Sequence, residues 1–121
     1  MCNIRYTPDR DGIDAKSNYY EWIQHGCELY EALERESGSW TVIECFPTAS
    51  WTRLGCARNR RTRANWSRDV LQKVLRDQRC LCKIPSRHNQ DVRDAIVAAY
   101  TAYLHFHGCT DKSFEPIIVP K

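Results

Sequence analysis

The chain has 121 residues, 42% of them apolar, and a formal net charge of +3. That is enough for one domain with a modest core, and it contains no apolar run of the roughly 20 residues a membrane-spanning helix needs. Seven cysteines, an odd number at scattered spacings with no apolar leader ahead of them, favour reduced thiols in a soluble, cytoplasmic protein over a disulfide framework.

Taken in order, residues 1–16 read as an irregular segment, with Pro8, Gly12 and the alternating charges of Asp9, Arg10 and Asp11. A helix is predicted from Asn18, with Glu21 as its capping-box partner, to about Glu36 ahead of Gly38. Its stripe of Tyr19, Ile23, Cys27, Tyr30 and Leu33 suits packing against a sheet better than a ligand role. The run Thr41 to Phe46 reads as a buried strand ended by Pro47, followed by a turn over Pro47 to Trp51 and an arginine-rich connection. Ser67 is placed as the cap of a helix bearing Val70, Leu71, Val74 and Leu75 on one face. Arg79 to Ile84 is a candidate short strand, and Pro85 to His88 a connector. Asn89 caps a last helix whose predicted core face is Val92, Ala95, Ile96, Ala99, Tyr103 and Phe106, ended by Gly108. The apolar tail Phe114 to Val119, flanked by Pro116 and Pro120, is expected as an edge strand or packed extension. One clear apolar strand run is few for a self-sufficient α/β domain. Either further strands form from the first sixteen residues, or a partner chain or second copy covers an open sheet edge.

Glu44 lies inside the apolar strand run, and a buried carboxylate needs a partner, since an uncompensated buried ion costs several kcal/mol on a rough scale. Asp91 and Asp94, three residues apart, share a face of the last helix and are the candidate partners. Three convergent carboxylates suit Mg²⁺ or Mn²⁺, which take hard oxygen ligands, and two-metal phosphodiester cleavage holds its ions roughly 3.5–4 Å apart in this way. The plainer account is that Asp91 complements the helix dipole while Asp94 faces solvent or pairs with Arg87. The small residues Ala95, Ala98 and Ala99, which allow a close helix-to-sheet approach, tip the balance to the metal.

Two blocks of this sequence resemble the predicted RNase H-like nucleases, long catalogued as a domain of unknown function. One is Val42-Ile43-Glu44-Cys45-Phe46-Pro47-Thr48-Ala49-Ser50-Trp51 with Leu54-Gly55, and the other is Asp91-Val92-Arg93-Asp94-Ala95-Ile96-Val97-Ala98-Ala99. Asn18 to Gly26 and the closing Pro116 to Pro120 are also similar to that family, so the resemblance spans roughly residues 10 to 120. It implies an α/β, RNase H-like fold in which Glu44, Asp91 and Asp94 are the catalytic metal ligands, the metal activating a water for phosphodiester hydrolysis. Family members begin with a β-hairpin that carries a further aspartate. Asp9, Asp11 and Asp14 lie in no apolar strand, so the resemblance implies a single, partial domain over residues 1–121, lacking the N-terminal strands, whose activity as an isolated chain is in question.

Charge is distributed unevenly: residues 1–52 carry four Lys/Arg against nine Asp/Glu, and residues 53–121 fourteen against six. Arg53, Arg58, Arg60, Arg61, Arg63 and Arg68 fall in a stretch without an acid, and a guanidinium fork matches phosphate oxygens. The expectation is a DNA- or RNA-contacting segment, with Trp51 and Trp66 as flanking stacking groups, and the alternative is a solvated loop with both tryptophans in the core. Cys80, Cys82, His105, His107 and Cys109 lack the paired spacing of a zinc knuckle. Three classes of function follow: a metal-dependent nuclease, a non-catalytic nucleic-acid-binding remnant of the fold, and a protein-interaction module.

Overall fold

The computed structural model describes residues 21–36, 38, 41–77, 84 and 87–121. The chain divides near residue 42 into two compact units. The first contains helix α1, Glu21–Glu36, with Glu21 in its first turn and Arg35 in its last, both signs matching the helix dipole. Cys27, Tyr30 and Leu33 of its predicted stripe are half-buried, and the helix ends before Gly38 as expected. The predicted start at Asn18, with Tyr19, lies outside the described residues, as do the Ile23 and Leu75 side chains and all but Ile84 of the candidate strand 79–84.

The second unit holds strand β1 (Glu44–Cys45), helices α2 (Pro47–Leu54), α3 (Arg63–Asp77) and α4 (Gln90–Phe106), and strands β2 (Thr110–Asp111) and β3 (Ile117–Pro120). The coarse α/β expectation holds: β3 lies between the other two, parallel to β1 through Glu44↔Ile117 and antiparallel to β2 through Asp111↔Val119. Helices α2 and α4 both pack on β3, and α3 packs on α2 and α4. The core between them is Trp51, Trp66, Val70, Leu71, Val74, Val97 and Tyr100, with Leu54, Ile84, Ile96 and Leu104 at its margin. Truncating a fully buried tryptophan such as Trp66 typically costs about 3–5 kcal/mol.

Several elements differ from the sequence expectation for identifiable reasons. Pro47 begins a helix instead of ending a strand into a turn: it sits at the first helical position, where its missing N–H is not needed. The ladder of β1 is two residues long, not six. Ser67 is inside α3, and the cap is Thr62, whose Oγ1 accepts from Asn65 N at 3.3 Å. Asn89 does cap α4, accepting from Val92 N at 2.9 Å. Of the predicted core face of α4, Ile96 packs against the core, but the rest of the buried face is different. Val92, Ala95, Ala99, Tyr103 and Phe106 are exposed; Val97 and Tyr100 join the core, and Arg93 and Thr101 face inward, where Ser67 of α3 and Ser50 of α2 offer hydroxyl partners. The C-terminal tail is the central strand of the sheet, its last residue Pro120 lying opposite Thr110. At Gly108, φ is +69°, the left-handed turn that ends α4 and that glycine adopts without a Cβ penalty.

Candidate functional site

Asp94 is the acceptor on which three helices converge. Its Oδ1 accepts from Trp51 Nε1 on α2 at 3.0 Å and from Gln90 Nε2, one turn earlier on α4, at 2.8 Å. Its Oδ2 accepts from the Arg63 guanidinium at the start of α3 at 2.7 Å. The Gln90–Asp94 contact is the side-chain pair that i, i+4 spacing on a helix permits.

Gln90 also faces the other way. Its Oε1 accepts from Ser67 Oγ at 3.0 Å and from Arg93 at 3.1 Å, while Arg93 Nε donates to Ser67 Oγ at 2.9 Å and its third contact is the His88 carbonyl at 2.9 Å. Arg93 is 3% exposed. A buried cation without hydrogen bonds would cost several kcal/mol on a rough scale. Here the guanidinium fork meets three neutral acceptors, and the Gln90 amide connects it to the Asp94 charge. A second buried pair, Thr101 Oγ1 to Ser50 Oγ at 3.0 Å, ties α4 to α2.

The three acids expected to hold a metal are placed separately. Among the described residues no group of three His, Cys, Asp or Glu side chains converges so as to hold an ion. Glu44 is exposed, not buried, because β1 is a two-residue edge strand whose alternating side chains leave it facing outward. Asp91 is exposed in the first turn of α4. Asp94 has both oxygens engaged, one by Trp51 and Gln90 and the other by the Arg63 guanidinium. The effect of Glu44 is instead on its neighbour: burial, and after it the Glu44 charge, push the Cys45 thiol above its ordinary 9.0.

The six arginines divide into two sets. Arg53 pairs with Asp111 and donates to the Pro120 carbonyl at 3.0 Å. Arg61 reaches Asp69 at 3.5 Å and donates to Cys56 Sγ at 3.0 Å and to the Ala57 carbonyl at 3.3 Å, and Arg63 holds Asp94. By contrast Arg58, Arg60 and Arg68 are exposed and form no ion pair among the described residues. The loop carrying Arg58 and Arg60 is pinned at both ends. Arg58 Nε donates to the Arg61 carbonyl at 2.8 Å, Trp66 Nε1 donates to the Cys56 carbonyl at 2.8 Å, and Asn59 takes a positive φ of 54° at the tip. Trp51 and Trp66, 1% and 0% exposed, are core residues with bonded indoles and not stacking platforms.

The sequence alone does not point to Gln90 and Arg93 as members of this network, and Ser67 reads there only as a helix cap. The Gln90–Asp94 spacing was a usable signal; Arg93 carried none, because arginine is ordinarily an exposed residue. No family model matches this chain, and the searches of curated proteins and of solved structures each found no match.

Proposed function

We propose that this chain binds nucleic acid, with Arg58, Arg60 and Arg68 as its phosphate contacts. One observation carries the reading: Arg53, Arg61 and Arg63 are committed to acidic partners, whereas Arg58 and Arg60 on the pinned loop and Arg68 on the neighbouring helix α3 are exposed without a counter-ion among the described residues. Phosphate contacts of this kind position a strand without reading its bases. The test is oligonucleotide binding, single-stranded and duplex, across a salt series. Replacing Arg58, Arg60 and Arg68 together by alanine is expected to flatten the slope of log affinity against log salt by roughly 2 to 3. An unchanged slope in a folded triple variant dismisses the reading.

The metal-dependent nuclease takes second place. In its favour, Glu44 and Asp91 are exposed carboxylates with no ion pair among the described residues, and a parallel β1–β3 pair backed by α4 suits an RNase H-like α/β domain. Against it stands the engagement of Asp94 by Arg63. Calorimetry with Mn²⁺ decides: saturable binding weakened by both Glu44→Gln and Asp94→Asn restores the nuclease reading, and no binding ends it.

A further inference from the structure

We propose that the cavity at the C-terminal end of α4 binds a nucleoside monophosphate, either free or as the end nucleotide of a strand. This goes beyond the arginine loop, since Arg58, Arg60 and Arg68 take no part in it. The cavity has a volume of about 540 Å³ and is lined chiefly by His105, Phe106, Thr110, Asp111, Lys112 and Lys121. That volume falls within the roughly 300–1,000 Å³ of small-molecule sites.

Each lining group supplies a part of nucleotide recognition. Phe106 is 86% exposed, a whole phenyl face open to solvent at the mouth. Its ring lies at right angles to the His107 ring with centroids 5.2 Å apart, and His107 in turn meets the Tyr103 ring at 4.4 Å. Such a ring is a stacking platform for a base. Lys121 Nζ donates to the Gly108 carbonyl at 3.0 Å, which leaves two of its three N–H groups without a hydrogen bond among the described residues. Lys112 is exposed and forms no ion pair among the described residues.

The acid in the lining is already neutralised. Asp111 pairs with Arg53 and accepts from Ser113 N at 3.0 Å; the Ser113 backbone N–H and hydroxyl first, then the Arg53 and Lys121 charges, hold its carboxyl below the ordinary value. His105 Nδ1 is 3.0 Å from the Thr110 hydroxyl. With that hydroxyl donating, Nε2 carries the ring proton and is a donor for a phosphate oxygen or a base carbonyl. A flat open ring, two ammoniums and an imidazole around one cavity match a ligand with both an aromatic base and a phosphate better than an anion or an apolar molecule alone.

The experiment is calorimetric titration of the whole chain with adenosine monophosphate, adenosine and inorganic phosphate, repeated with Phe106→Ala and with the double variant Lys112→Ala, Lys121→Ala. Saturable monophosphate binding is expected, weakened about tenfold or more by either variant, with adenosine and phosphate each at least about tenfold weaker than the monophosphate. Phe106 and Lys112 are exposed, so both variants are expected to keep the wild-type circular dichroism. Phosphate binding as tight as the monophosphate, with Phe106→Ala without effect, overturns the proposal, and so does a folded wild-type chain that takes up no monophosphate. Displacement of the monophosphate by a short 5′-phosphorylated oligothymidylate assigns the strand end as the ligand, and its failure to displace assigns the free nucleotide. None of these variants alters Arg58, Arg60 or Arg68, so the outcome is read separately from that of the salt series.

Discussion

Arg63 donates to Asp94 Oδ2 at 2.7 Å, joining the first residue of α3 to α4 across 31 positions of sequence. Because the other oxygen of the same carboxylate accepts from Trp51, this one side chain fastens α2, α3 and α4 together. An acid read from sequence as a catalytic ligand is thus part of the scaffold.

The two partners of that ion pair are not equivalent. Arg63 is 44% exposed and its removal leaves Asp94 two other donors, so Arg63→Ala is expected to cost under about 1 kcal/mol. Asp94→Ala strands the buried Trp51 indole N–H and the Gln90 amide, and is expected to cost roughly 2–4 kcal/mol. Asp94→Asn keeps an oxygen for Trp51 and should fall between. Urea unfolding of the three variants checks the order; equal losses for Arg63→Ala and Asp94→Ala would contradict the role given to Trp51.

Arg93 offers a sharper test of the buried network. Its fork reaches Ser67, Gln90 and the His88 carbonyl from three nitrogens. A lysine keeps the charge but brings its donors to one point, so it cannot reproduce that spread. Arg93→Lys is expected to destabilise by about 1–3 kcal/mol, and adding Gln90→Leu should cost less than it does alone, since the amide has then already lost a donor. A double-mutant cycle by urea unfolding measures the coupling, and strict additivity would sink it.

Gly55, at the end of α2, is required by closeness. A Cβ there would stand 2.5 Å from Val70 Cγ2 and 2.9 Å from Cγ1. Val70 is buried and β-branched, so it has little freedom to turn away. Gly55→Ala is therefore expected to lower stability by about 1–3 kcal/mol. Combined with Val70→Ala, which removes both methyls and leaves only the Val70 Cβ position at 3.2 Å, the glycine substitution should cost clearly less than it does alone. Thermal unfolding of the two single variants and the double variant tests this, and a Gly55→Ala variant as stable as the wild type would refute it.

What the sequence made legible is the local chemistry: the Asn89 cap, the inward set Val70, Leu71 and Val74, and the Gly108 stop. What it hid depended on partners distant along the chain. Counting arginines could not reveal that Arg53 answers Asp111, 58 residues on, or that Arg63 answers Asp94. The face of α4 departs from its apolar pattern for a related reason: Tyr103 and Phe106 are apolar and lie outward, while Arg93 and Thr101 lie inward, where they meet Ser67 and Ser50. Proline was read as a breaker at Pro47 and an edge marker at Pro120, whereas at a helix's first position and a strand's last residue the absent N–H does no harm.

Cys45 gives a prediction in pH. Burial and the Glu44 charge raise its thiol in the folded chain, so the thiolate forms more readily after unfolding than before. The contribution to stability is accordingly full below the ordinary thiol value of 9.0 and is lost as pH rises through the higher folded value. Wild type is expected to lose more stability than Cys45→Ala between about pH 8 and about pH 10, the difference between the two cancelling the tyrosines and lysines that titrate in the same window. Alkylation gives a second reading of the same environment. The exposed Cys56 and Cys109 should react with iodoacetamide well before Cys45, as followed by peptide mass mapping. A Cys45 that labels as fast as Cys56 in the folded protein would mean that β1 opens at the sheet edge far more readily than its pairing with β3 implies.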